Sequence, residues 1–263
     1  MYPAFRKSNA FKILWQLISP MLIYYAGYYI GLFLIIMTLS ANGITSTPDY
    51  ANALVGGICM LCGTLALLGE IRQERHFVLN GKTNSKLVQF SCIFATLSLI
   101  VILNFLFQIT GMTDVSEKYK AVSESQFAVP VWMGILLYGI ISPFAEEMLF
   151  RFVIFRKLSR ISGRYLYGIL VSSFLFGIYH GNLVQGIYSF MIGIFLAYAT
   201  YRCGTVWVAV FCHGIGNIIV FLCGMDMTCY QLVFHPLTIG VIIAIFAGTV
   251  GYLIYDGKHA LKA

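Results

Sequence analysis

Two adjacent glutamates, Glu146 and Glu147, interrupt a long apolar stretch in the run Ser142-Pro143-Phe144-Ala145-Glu146-Glu147-Met148-Leu149-Phe150-Arg151. A carboxylate in such a setting is costly enough that it ordinarily has both a partner and a role. Neighbouring helical residues do not share a face. The two acids therefore cannot hold one water between them as a carboxylate dyad would. Glu147 and Arg151 are four residues apart, in the order that favours an ion pair along one helix face. That pairing makes Glu147 an anchor and leaves Glu146 to face elsewhere in the bundle as the candidate base. Pro143 has no backbone N–H, so it should kink the helix just before the acids and leave carbonyls free.

Two later apolar segments supply matching polar groups. His180 ends the run Phe174-Leu175-Phe176-Gly177-Ile178-Tyr179-His180, with Phe176 one turn before it, and His213 and Asn217 are four apart in Cys212-His213-Gly214-Ile215-Gly216-Asn217. Hydrolysis of an amide needs a base for water, an acid for the leaving nitrogen and donors for the oxyanion. A carboxylate paired with His180 can serve water, and His213 with the Asn217 amide can serve the oxyanion. Counted at the helical rise from the nearest basic residues, Glu146 and His213 lie about 15 and 16 Å deep, and His180 about 24 Å.

These groups need apolar helices to carry them, and the composition provides little else. Hydrophobic residues make up 59% of the 263 residues and charged ones 10%, with a mean hydropathy of +0.84. A soluble globule of this size would need more polar surface than that. The apolar runs are long and continuous, which selects helices over a barrel in a bilayer. Eight candidate spans are read at 13 to 39, 51 to 69, 87 to 108, 130 to 155, 165 to 181, 183 to 200, 204 to 223 and 236 to 255. Alternate connections collect fifteen of the 17 Lys and Arg residues, from Arg6 to Lys262, whereas the other side holds only Lys118 and Lys120. Basic residues accumulate in cytoplasmic loops, so both termini are expected in the cytoplasm. The net charge of +7 is dispersed in short juxtamembrane clusters. That pattern suits topology and contact with membrane lipids, not nucleic acid.

The expected fold class is thus an all-α polytopic transmembrane bundle of about eight spans, with residues 1-263 forming a single membrane domain. The first apolar segment is longer than a signal-peptide core and reads as retained. Gly186, Ser189, Gly193 and Ala197 recur at helical spacing and read as a close-packing face. The seven cysteines read as small apolar packing residues, with no disulfide expected between Cys223 and Cys229. Function is sought in the last five spans.

Taken in order, Glu146-Glu147-x-x-x-Arg151, Phe176-x-x-x-His180 and His213-x-x-x-Asn217 resemble the CPBP family, the CAAX proteases and bacteriocin-processing enzymes also called Abi proteins. The resemblance covers the helix core at residues 130-223. It implies an eight-helix intramembrane endopeptidase in which Glu146 with His180 activates water, His213 and Asn217 form the oxyanion site, and Glu147 and Arg151 support them. Many members carry Gly after the motif Arg, where this chain has Phe152, which bears on local packing more than on catalysis. Zinc is the alternative cofactor, since the family has often been described as metal-dependent and two His with a Glu can ligate it. H-E-x-x-H is absent and Asn217 is a poor ligand, so no cofactor is expected. The alternative functions are a proton-coupled transporter and a non-catalytic bacteriocin-immunity or scaffold protein. The expected substrate is a membrane-associated or lipidated peptide, and the short loops suggest a bacterial plasma membrane.

Overall fold

The computed structural model describes residues 10–44 and 48–260, and every regular element among them is helical. Arg6, Lys7 and Lys262, counted above in the charge pattern, lie outside the described residues. The helices are α1 (Ala10–Ala41), α2 (Asp49–Ala66), α3 (Leu68–Glu74), α4 (Lys86–Ile109), α5 (Glu117–Phe127), α6 (Val131–Ser162), α7 (Tyr165–Tyr179), α8 (Leu183–Cys203), α9 (Trp207–Met225), α10 (Met227–Val233) and α11 (Pro236–Ala260). Six of them are long and apolar enough to cross a membrane, and α2 with α3, bent by 51° at their junction, make a seventh if counted as one span. The remaining expected span, α7, is apolar but only 15 residues long. The described residues therefore form an integral-membrane helical bundle with six to seven long apolar helices.

Local sequence sets where these helices start and stop. The Ser85 hydroxyl accepts the Val88 N–H at the start of α4, and Asn182 Oδ1 accepts the Gln185 N–H at the start of α8, 2.9 Å away. Each cap satisfies a donor that the helix itself leaves unpaired. Gly163 and Gly204 end α6 and α8 with φ of 67° and 72°, a left-handed turn that costs a residue without a Cβ almost nothing. These stops leave connections of two or three residues, which hold α6 through α9 as close neighbours.

Helix α6 is the axis of the bundle. Its Leu149, Phe150, Ile154 and Leu158 are buried against Tyr24 of α1, Leu67 and Phe176 of α7. A second buried cluster joins Leu99, Ile100 and Leu103 of α4 to Leu196 of α8, Ala209 and Cys212 of α9 and Leu253 of α11. Outward-facing apolar side chains such as Ile30, Phe33, Leu166 and Leu237 stay exposed, as expected where lipid is the solvent.

The basic residues near the end of α6 differ from their reading as juxtamembrane loop charges. The helix continues to Ser162, and Arg151, Arg156 and Lys157 are all buried on it. Lys157 Nζ pairs with Glu70 at 2.8 Å, Arg160 pairs with Glu74, and Arg156 donates to the Phe77 carbonyl at 3.2 Å. Acids on α3 thus fix bases on α6. The Arg156 guanidinium also lies 4.5 Å from the centre of the Phe152 ring, so the Phe at that position has a packing partner. Cys223 and Cys229 are free thiols with their sulphurs 3.4 Å apart.

Candidate active site

Helix α6 is not regular where the acids sit. Its backbone widens to π-helix at Leu137–Ile141 and again at Met148–Phe155, on either side of the short α-helical turn Ser142–Glu147. Wide turns of this kind are rare and tend to fall at functional sites. The first has a traceable consequence. The Ser142 N–H donates five residues back, to the Leu137 carbonyl, so the next bond in that register would have to come from residue 143. That residue is proline and has no N–H. The Tyr138 carbonyl is left for the Asn217 amide of α9, which donates to it at 3.0 Å. Pro143 thus frees a carbonyl within a widened, continuous helix, and Asn217 spends one of its two amide hydrogens on it.

Gly214, one turn before Asn217, lets α9 approach this stretch. A Cβ at position 214 would collide with the Gly139 carbonyl and touch the Pro143 ring. Close approach of this kind is what small residues permit between membrane helices.

The two glutamates have separate surroundings. Glu147 and Arg151 have no solvent exposure, and Glu147 Oε2 lies 3.1 Å from Arg151 Nε. The other oxygen, Glu147 Oε1, is 2.8 Å from His213 Nδ1. A carboxylate only accepts, so this contact places a proton on Nδ1 and turns Nε2 of His213 the other way. Nε2 then faces Glu146 Oε2 at 3.8 Å, while the Ser142 hydroxyl donates to Glu146 Oε1 at 2.6 Å. Glu147 therefore bridges Arg151 and His213, and Glu146 lies on the far side of His213.

Phe176 spaces the set. The Arg151 guanidinium carbon sits 4.2 Å from the centre of its ring, a cation–π arrangement, and its ring also contacts the rings of His180 and His213. His180, at the end of α7, has Nδ1 2.9 Å from the Phe176 carbonyl and Nε2 3.3 Å from the Ser189 hydroxyl of α8. The carbonyl accepts only, so the proton is on Nδ1 and Nε2 accepts from the Ser189 hydroxyl.

Glu146, His180, His213 and Asn217 all line one cavity of about 530 Å³, and Glu147 and Arg151 lie behind its wall. Sequence reasoning gave the first three spans no part in function, but Tyr25 and Tyr28 of α1, Met60 of α2 and Asn104 of α4 line this cavity too. The signal was present in Tyr24-Tyr25-x-x-Tyr28-Tyr29, a cluster of aromatic hydroxyls at helical spacing within a span. Ser142 and Ser189 were also overlooked as polar partners, Ser189 having been read as a packing residue. Among the described residues no group of three or more His, Cys, Asp or Glu side chains is arranged to hold a metal ion. The side chains present do not fit the three-ligand set that a catalytic zinc requires.

Comparison with known proteins gives a bacterial relative. A protein of Bacillus subtilis (strain 168) named "Putative membrane peptidase YdiL" is 29% identical over 120 residues, 46% of this chain and 48% of that protein. The chain therefore spans about half the length of the curated relative it matches. No solved structure matches. Residues 128–219, which include Glu146, His180, His213 and Asn217, match the family described as Type II CAAX prenyl endopeptidase Rce1-like.

Proposed function

We propose that this chain is an intramembrane endopeptidase that hydrolyses a peptide bond of a membrane-associated or lipidated peptide. The observation that carries the reading is the convergence of Glu146, His180, His213 and Asn217, from three helices, on one cavity. The family match over residues 128–219 supports it.

In this mechanism Glu146, fixed by Ser142, takes a proton from water as the water oxygen attacks the scissile carbonyl. His180 accepts the water's second hydrogen bond through Nε2 once the Ser189 hydroxyl, which donates to that nitrogen at 3.3 Å, turns away. The oxyanion receives the second amide hydrogen of Asn217 and, when His213 carries a proton on Nε2, that N–H as well. Glu146 then returns its proton to the leaving nitrogen, which completes the break of the C–N bond and leaves a carboxylic acid and an amine. Glu147 and Arg151 hold His213 in the required orientation. No step involves a metal. The eight apolar helical segments all cross a bacterial plasma membrane, with both termini on its cytoplasmic side.

The test is hydrolysis of a quenched peptide library by the purified full-length chain in proteoliposomes, with and without chelator. Cleavage that survives chelation is the expected result. Cleavage abolished by chelator and restored by zinc contradicts the metal-free mechanism. Proton-dependent solute uptake without cleavage contradicts the peptidase reading in favour of a transporter.

A further inference from the structure

Cysteine packs as a small apolar residue, but its thiolate is also a nucleophile. Two of the free cysteines meet where the chain turns from α9 into α10. Cys223 lies in the last turn of α9 and Cys229 in the first turn of α10, with their sulphurs 3.4 Å apart. Asp226 fixes the turn between them from both sides. Its N–H donates to the Leu222 carbonyl at 2.9 Å, and its Oδ1 accepts the Cys229 N–H at 2.7 Å. Helix α10 is held in turn against α4, where the Tyr230 hydroxyl donates to Gln108 Oε1 at 2.8 Å. The two thiols differ in access: Cys223 is 5% exposed, whereas Cys229 is half-buried.

Bonded sulphurs lie about 2.05 Å apart, so the pair would have to close by about 1.4 Å. Small rotations about the two Cα–Cβ bonds supply a movement of that size. We propose that Cys223 and Cys229 form a thiol–disulfide exchange site, which a small disulfide of the glutathione type converts into an internal disulfide. The more accessible Cys229 reacts first. Its thiolate attacks one sulphur of the oxidant, which gives a mixed disulfide and releases one oxidant thiol. The Cys223 thiolate then attacks the Cys229 sulphur and displaces the second oxidant thiol. Two protein thiols are thereby oxidised to one S–S bond, and one oxidant disulfide is reduced to two thiols, which carry away both protons. The new bond fastens α10 to the end of α9, two residues beyond Phe221, which lines the cavity. The exchange site does not depend on the peptidase reading.

The test treats the folded full-length chain in detergent with glutathione disulfide, blocks the remaining thiols by alkylation, and locates each modification by peptide mass mapping. In the wild type the peptides holding Cys223 and Cys229 should be joined and lighter by two hydrogens, and dithiothreitol should separate them. Because Cys223 resolves the mixed disulfide at high effective concentration, less than about a tenth of wild-type chains should keep glutathione on Cys229. Cys223→Ser removes the resolving thiol, so most of its chains should keep that adduct. In Cys229→Ser the buried Cys223 should stay a free thiol until the chain is unfolded. A wild-type chain in which both thiols stay reduced, or in which glutathione accumulates on Cys229 without an internal bond, overturns the proposal. So does a bond formed instead between Cys92 and Cys203, whose side chains also meet, across α4 and α8.

Discussion

Replacing Arg151 with Met should destabilise the bundle more than any single change at its surface. Neither side chain of the Arg151–Glu147 pair has solvent exposure, and the contact is 3.1 Å. At that distance and an effective dielectric near 20, the attraction is worth about 5 kcal/mol. Methionine fills much of the vacated volume but leaves the Glu147 carboxylate with only His213, 2.8 Å from Oε1. Removing one member of a buried pair costs about 3–5 kcal/mol because the other charge stays behind. For a chain of this length that corresponds to a fall in Tm of roughly 6–20 °C. The double variant Glu147→Gln with Arg151→Met removes the stranded charge while keeping an acceptor for His213, and should recover more than half of the loss. Thermal unfolding of the detergent-solubilised variants measures both effects. An Arg151→Met protein as stable as the wild type, or a double variant no better than the single one, would refute the view that this pair is a coupled buried unit.

Three further substitutions test the scaffold around the site. Gly214→Ala pushes a Cβ against the Gly139 carbonyl and should lower stability by about 1–3 kcal/mol, read by the same melting assay. Asn217→Leu strips the Tyr138 carbonyl of its donor and should cost about 1–3 kcal/mol; a melting curve that does not move means the carbonyl finds another partner. Glu74→Ala removes a fully buried carboxylate from Arg160, which is 46% exposed. Because water can replace part of that contact, the loss should be about 1–3 kcal/mol, and Glu74→Gln should recover some of it.

Periodicity and charge cost made much of this architecture legible before any coordinates. The apolar runs located the helices because a membrane span announces itself by length and hydropathy. Glu147 and Arg151 could be paired because their spacing on one helix is a local property. The parts that stayed hidden depend on contacts between segments distant in sequence. Arg156, Lys157 and Arg160 looked like loop charges because a charge pattern does not show that Glu70 and Glu74 lie across from them. The bond between Asn217 and Tyr138 follows from a widened backbone turn, and no side-chain pattern records which carbonyl such a turn will strand. The bridge from Glu147 to His213 spans 66 residues and was missed for the same reason. Ser189 lies on a stripe of small residues, where a packing role accounts for its type without reference to His180.

The most direct test of the account is the rate of peptide hydrolysis by Glu146→Gln beside its melting temperature. The amide can still accept the Ser142 hydrogen bond and is nearly the same shape, so folding should be unchanged. A Gln side chain cannot take a proton from water, so hydrolysis should fall by about two to four orders of magnitude. Wild-type hydrolysis by a folded Glu146→Gln protein would contradict the account.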